Sequence, residues 1–110
     1  MKPIVEKYLK IVMRNLLDPT MIDKEVDFEM ERMEAKDTLD NYSKIVGEPY
    51  TEPDKNEMLS VFSEETGDDG TIFVDAPLIF GKSQSELCVM FRIETNNGFQ
   101  RAIIENITTP

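Results

Sequence analysis

The sequence contains no histidine and no tryptophan, only one cysteine, and no long apolar run. Without histidine, Ser-His-Asp and Cys-His catalytic arrangements are excluded, and the most common zinc ligand is missing. A single cysteine excludes an internal disulfide, so a reducing cytoplasm is the compartment we expect. No stretch approaches the roughly 18 apolar residues of a transmembrane helix, and the N-terminus has no secretory pattern. We therefore expect a cytoplasmic protein with no membrane partner.

Negative charge is what the sequence has in excess. Its 110 residues, which we take as a single domain over 1–110, carry 22 acidic and 12 basic side chains, a net charge of −10. Residues 56–76 contain six carboxylates and no lysine or arginine. Such a surface disfavours direct binding of nucleic acid phosphates and steers a basic protein partner. A surface that only maintains solubility would also be acidic.

The N-terminal half predicts helices. Apolar residues at three- and four-residue spacings predict a helix over 3–17, with Pro3 in its first turn. A second helical stripe runs from Thr20 to a stop at Gly47, and a bend near 37–38 would divide it into two helices. The alternation around Val26 also fits a strand, but residues of high helix propensity dominate 29–36.

The C-terminal half predicts strands. Residues 57–65 fit either a helix or a strand, and we favour the helix slightly, whereas 66–70 predicts a turn and 71–75 a strand. Pro77 indicates an edge, a bulge or a bend. The strongest pattern is a hairpin over 85–107 with its turn at Asn96-Asn97-Gly98.

The second face of this hairpin is predicted to combine Cys88, Met90, Ala102 and Ile104, so a helix or another chain should cover part of it. The fold class expected from these elements is α+β, with N-terminal helices packed on a C-terminal three- to four-stranded antiparallel sheet.

Catalytic and metal-binding signatures are missing. Cys88 stands in a strand pattern and fits a small core residue better than a nucleophile. Residues 65–70 resemble part of a calcium loop, but the third and twelfth ligands are not there. The five glycines are too scattered for a phosphate-binding loop. We therefore predict no catalytic residue, no metal, no cofactor and no enzymatic activity.

The candidate functional residues are those that a basic protein partner would contact. They comprise the carboxylates of the acidic middle of the chain and two aromatic anchors, because charge gives association rate more than tight binding. They are Glu64, Glu65, Asp68, Asp69 and Asp75, a second acidic group of Asp27, Glu31 and Glu34, and the anchors Tyr50 and Phe73.

The chain resembles the small acidic immunity proteins of bacterial toxin systems, including those of contact-dependent growth inhibition. The resemblance rests on size, on the charge of −10 and on the acidic run Ser63 to Gly70. It implies a cytosolic, non-enzymatic domain that neutralises a basic toxin, often a nuclease. Separately, the segments 85–94 and 103–107 are similar to the closing hairpin of an uncharacterised bacterial family with an N-terminal helix and a C-terminal sheet.

The leading hypothesis is therefore an immunity protein, a monomer or homodimer, that binds a cationic toxin domain through carboxylates that take the place of phosphates. An alternative is a homo-oligomeric α+β domain that binds a ligand, or acts as an enzyme, in a pocket between helices and sheet. A third is an adaptor subunit that uses the apolar second face of the hairpin.

Overall fold

A computed structural model describes residues 1–53 and 59–109 of the chain. They form two α-helices and six β-strands. In chain order these are α1 (Pro3–Asn15), β1 (Val26–Phe28), α2 (Arg32–Val46), β2 (Tyr50–Thr51), β3 (Ser63–Thr66), β4 (Ile72–Phe80), β5 (Ser83–Asn96) and β6 (Phe99–Thr108).

The first helix is confirmed and ends two residues earlier than predicted. Pro3 occupies its first turn, where the missing N–H removes no hydrogen bond. One side of the helix is buried, including Val5, Leu9 and Val12. Leu17, the last residue of the predicted helix, lies beyond α1 and is exposed.

The sheet is larger than predicted and is mixed. Its strand order is β1-β6-β5-β4-β2, and β3 pairs with β4 beside β2. β1 runs parallel to β6, whereas the other pairs are antiparallel. The α+β class is confirmed, but the prediction of three to four antiparallel strands is wrong. The order of helices first and strands afterwards is also wrong, because β1 lies between α1 and α2.

The segment after α1 is a loop and a short strand where we predicted the start of a helix. The strand β1 forms because β6 satisfies its backbone: the N–H of Ala102 donates to the carbonyl of Glu25, and the N–H of Glu29 donates to that of Ile104. The local sequence pattern around Val26 gives no information about this distant partner strand. α2 is one uninterrupted helix through the expected bend, and it ends at Gly47, whose φ of 76° is the left-handed conformation of a C-terminal cap.

Strand β3 begins within the ambiguous segment 57–65, so the slight preference for helix is wrong over 63–65, and Thr66, which we predicted in the turn, is the last residue of the strand. Residues 57 and 58 lie outside the described residues. The predicted turn after β3 is confirmed: the N–H of Gly67 donates to the carbonyl of Thr71. In β4 the register with β5 shifts between Pro77 and Ile79, which confirms an irregularity at this proline.

The C-terminal hairpin is confirmed, but its faces are divided differently. The two-residue turn Asn97-Gly98 pairs Asn96 with Phe99, and this register places Ile93 opposite Ala102 and Phe91 opposite Ile104. The predicted grouping of Cys88 and Met90 with Ala102 and Ile104 is therefore wrong. The register shifts between Met90 and Phe91, which also brings Ile107 opposite Val89.

The core lies between the two helices and one face of the sheet. Both helices contribute to it, together with the alternate residues of β4, β5 and β6. The sheet residues of this core are Val26, Ile72, Val74, Ala76, Leu78, Phe80, Leu87, Val89, Phe91, Ile93, Ala102, Ile104 and Ile107. Neither described helix combines the length and the apolar character needed to cross a membrane.

Candidate functional site

The other side of the sheet carries a mixed charged and apolar surface, which we call the outer face. Strand pairing defines it, because directly paired residues project from the same side. One row across five strands consists of Glu65, Phe73, Arg92, Ile103 and Asp27. A neighbouring row consists of Ser63, Asp75, Met90 and Asn106. These residues alternate with the core residues along each strand, and none of them belongs to the core cluster.

Arg92 is the centre of the outer face. Its Nη1 donates to Glu29 Oε2 at 2.6 Å and to Glu105 Oε2 at 2.7 Å, and its Nε donates to Glu94 Oε1 at 2.7 Å. The guanidinium thus joins β5, β6 and the residue that follows β1. The hydrogen bond to Glu94 is the largest of the contributions that raise the pKa of Arg92. Charge-assisted bonds of this kind hold the carboxylates in defined positions.

The outer face has a net negative charge. A second arginine, Arg101, lies 3.6 Å from Asp27 Oδ2 through its Nη1. Among the described residues, six carboxylates surround the two arginines, which leaves four negative charges on this face uncompensated. The six are Asp27, Glu29, Glu65, Asp75, Glu94 and Glu105.

Within the two rows given above, two apolar side chains are in contact with solvent. Phe73 is 43% exposed and Met90 is 37% exposed. A Cβ added to Gly67 would stand 3.6 Å from the Phe73 ring, so the ring lies beside the β3–β4 turn. An aromatic ring and a thioether with charged neighbours are the composition of an interaction surface rather than of a purely solvating one.

Asp75 and Cys88 are close neighbours on β4 and β5 within the outer face. One carboxylate oxygen of Asp75, Oδ1, is buried and has no hydrogen-bond partner within 1–53 and 59–109. The Cys88 thiol donates to the carbonyl of Thr108 at 3.2 Å. Burial, and to a lesser extent Asp75, raises the pKa of Cys88 to about 11. The thiol is therefore protonated at neutral pH, a state of low nucleophilicity.

The structure brings some of the predicted site residues together on or beside the outer face. Glu65, Phe73, Asp75 and Asp27 share it. Asp68 and Asp69 lie in the β3–β4 turn at its edge. The backbone N–H of Thr71 donates to Asp69 Oδ1 at 3.0 Å, and this bond is the main cause of the lowered pKa of Asp69.

Other predicted site residues lie elsewhere. Glu64 is paired with the core residue Val74, and its Oε1 accepts a bond from the backbone N–H of Lys2. The hydroxyl of Tyr50 donates to the carbonyl of Met13 at 2.7 Å, so this ring joins β2 to α1.

Glu31 and Glu34 lie at the start of α2, where negative charge stabilises the helix terminus. As contacts for a partner, all ten residues remain predictions.

The arginine network was not predicted from the sequence. Arg92, Glu29, Glu94 and Glu105 were not candidates, although β5 displays Arg92 and Glu94 in alternation with buried residues. The sequence feature that could have indicated this network is the presence of charged residues on one face of a hairpin that is otherwise apolar. Across the described part of the chain, no three Cys, Asp or Glu side chains are arranged to hold a metal ion.

No protein-family model, curated protein or solved structure matches this chain.

Proposed function

We propose that this chain is a protein-binding domain that recognises a cationic partner through the outer face. The observation that supports it best is the combination, on one sheet face opposite both helices, of four uncompensated carboxylate charges with exposed Phe73 and Met90. With the resemblance to acidic immunity proteins, the partner we propose is a basic toxin domain, most simply a nuclease.

The charge of the outer face favours a cationic partner over a second copy of the chain. Two copies joined face to face would bring their excess carboxylates together, and like charges at an interface oppose association. A nuclease, in contrast, presents lysine and arginine side chains arranged for phosphate groups. Carboxylates at the edge of the face, including Glu65 and Asp68, would form ion pairs with those side chains and so block the active site.

Charge and apolar contact would have different roles in this complex. Exposed carboxylates such as Glu65 increase the association rate, and salt weakens that effect. Phe73 and Met90 supply area that becomes buried, which slows dissociation. The Arg92 network keeps Glu29, Glu94 and Glu105 in place before binding, so little ordering is needed on association.

The test is co-purification of the tagged chain with the product of the reading frame immediately upstream, washed at low and at high salt. We expect a basic protein to be retained at low salt and to be depleted at high salt. Inhibition of its nuclease activity by the purified chain would then establish the toxin-inhibitor function. Absence of any partner at either salt, or a partner without basic character, would overturn the proposal.

Once the partner has been identified, matched pairs of variants locate the interface. We expect Glu65→Lys to slow association about tenfold at low salt, whereas Asp37→Lys, the same charge change on α2, has little effect. Phe73→Ala should weaken the complex about tenfold or more, whereas Met33→Ala, which truncates an exposed side chain of α2, should not. Equal effects within either pair would remove the outer face from the interface.

A further inference from the structure

A cleft of about 790 Å³ lies on the helix side of the sheet, away from the outer face. It opens between the C-terminal end of α2 and the turn that joins β4 to β5. Its size is within the range of small-molecule sites. The lining residues come from both elements and include Tyr42, Val46, Glu48, Phe80, Lys82 and Glu86.

The cleft has an aromatic floor that is held in place from below. The rings of Tyr42 and Phe80 are 4.9 Å apart with an interplanar angle of 53°. Tyr50 packs edge-on against Phe80 at 5.7 Å, and its hydroxyl is bonded to α1. The faces of aromatic rings carry negative electrostatic potential and attract cations.

The walls of the cleft add negative charge to this floor. Glu48 and Glu86 line it, and neither forms an ion pair with any residue of 1–53 or 59–109. The C-terminal end of α2 also borders it at Val46, and the carbonyl groups of a helix C-terminus form the negative pole of the helix dipole.

The β4–β5 turn is shaped so that one of these carboxylates can approach it. Gly81 has a φ of 65°, and a Cβ at this position would stand 2.9 Å from Glu48 Oε2. The positive φ favours glycine at this position, and any larger residue would also displace the Glu48 carboxylate from the turn. Its N–H donates to the carbonyl of Pro49, which fixes the turn next to the segment that carries Glu48.

We propose that this cleft binds an organic cation, a protonated amine that carries an apolar group. The aromatic floor fits the apolar group, and the two carboxylates with the negative pole of α2 fit the ammonium. Lys82 is the one basic side chain among the described residues that line the cleft, so it opposes binding and its removal should increase affinity. This inference is independent of the proposed function, because the outer face takes no part in it.

The experiment follows backbone amide signals of the whole chain by NMR during titration with benzylamine, benzyl alcohol or benzoate. The three probes share the ring and differ in charge. We expect benzylamine to bind at least about fivefold tighter than benzyl alcohol, with benzoate weakest. The perturbed signals should belong to residues 43–48 and 80–86. Equal affinity for amine and alcohol, perturbation elsewhere, or no perturbation would overturn the proposal.

Charge variants test the assignment of the walls. Glu48→Gln and Glu86→Gln should each weaken benzylamine binding about threefold, and Lys82→Gln should strengthen it about twofold. Asp37→Asn removes a carboxylate from α2 outside the cleft and should leave the affinity unchanged. Spectra of the free variants confirm that each is folded. A Lys82→Gln variant that binds benzylamine more weakly would contradict the assignment.

Discussion

The two faces of the sheet are built on the same strands but are held together differently. Beneath the helices, Val74, Phe91 and Ile104 form a row across β4, β5 and β6, and each is at most 3% exposed. One residue away along β4 and β5, the outer face has Phe73 and Arg92 in the corresponding row. The first row is stabilised by burial of apolar area, and the second by ion pairs in contact with water.

Because of this difference, the stability of the fold depends mainly on the buried face, whereas the surface properties depend on the outer face. Loss of a buried side chain leaves a cavity, whereas loss of an exposed one removes few contacts. The outer face can therefore present a composition suited to a partner at little cost to the fold. Substitution of comparable residues on the two faces tests this separation.

Truncating one phenylalanine on each face should give the largest contrast. Phe91→Ala should lower the free energy of unfolding by about 3–5 kcal/mol, because the side chain is fully buried. Phe73→Ala should lower it by less than about 1 kcal/mol. Urea unfolding monitored by circular dichroism measures both. Similar losses for the two variants would mean that the outer face is part of the core.

Removing the central arginine should have an intermediate effect. Arg92→Met leaves Glu29, Glu94 and Glu105 close together without their cation, which should cost about 1–3 kcal/mol. Arg101→Met is the matched control: its 3.6 Å contact with Asp27 is exposed and should contribute at most about 0.5 kcal/mol. Unfolding in low and high salt tests the cause, because salt screens the repulsion of the three carboxylates. A cost that is independent of salt would indicate lost packing instead.

The parts of the fold that depend on local pattern could be predicted from the sequence. α1, the end of α2 at Gly47 and the C-terminal hairpin follow from periodicity and turn residues within short windows. β1 could not be predicted in this way, because its three residues are strand only by pairing with β6 about 75 residues later. The faces of the hairpin were in principle accessible: the two-residue turn Asn97-Gly98 fixes the register that we missed.

The sequence predicted the acidic and aromatic character of the candidate site better than it predicted which residues lie together on one face. The acidic middle of the chain indicated a charged surface, and Glu65, Phe73 and Asp75 do share one face. Glu64 separates from Glu65 because adjacent strand residues point to opposite sides. The Arg92 network joins residues from three separate segments. Counting charges along the sequence does not show that these residues meet in space.

The reactivity of cysteine should distinguish buried from exposed positions within the outer face. Cys88 has a pKa raised to about 11, so its thiolate is scarce at pH 8. A cysteine at the exposed neighbouring position, Met90→Cys in a Cys88→Ala background, should react with iodoacetamide at least about tenfold faster. For native Cys88 the rate should increase with pH up to about 11. Equal rates at pH 8 would show that Cys88 is accessible.

The smallest effect concerns the carboxylate beside that thiol. Asp75→Asn removes a negative charge that contributes to the raised pKa of Cys88, but burial, the larger cause, remains. The pKa should therefore fall only part of the way towards 9.0, and alkylation at pH 8 should increase about threefold. Glu65→Gln, on the same face but paired with Phe73, should leave the rate unchanged. If Asp75→Asn restored an ordinary cysteine profile, the Asp75 charge rather than burial would control the thiol. The distinction between core and outer face would then be electrostatic at this position.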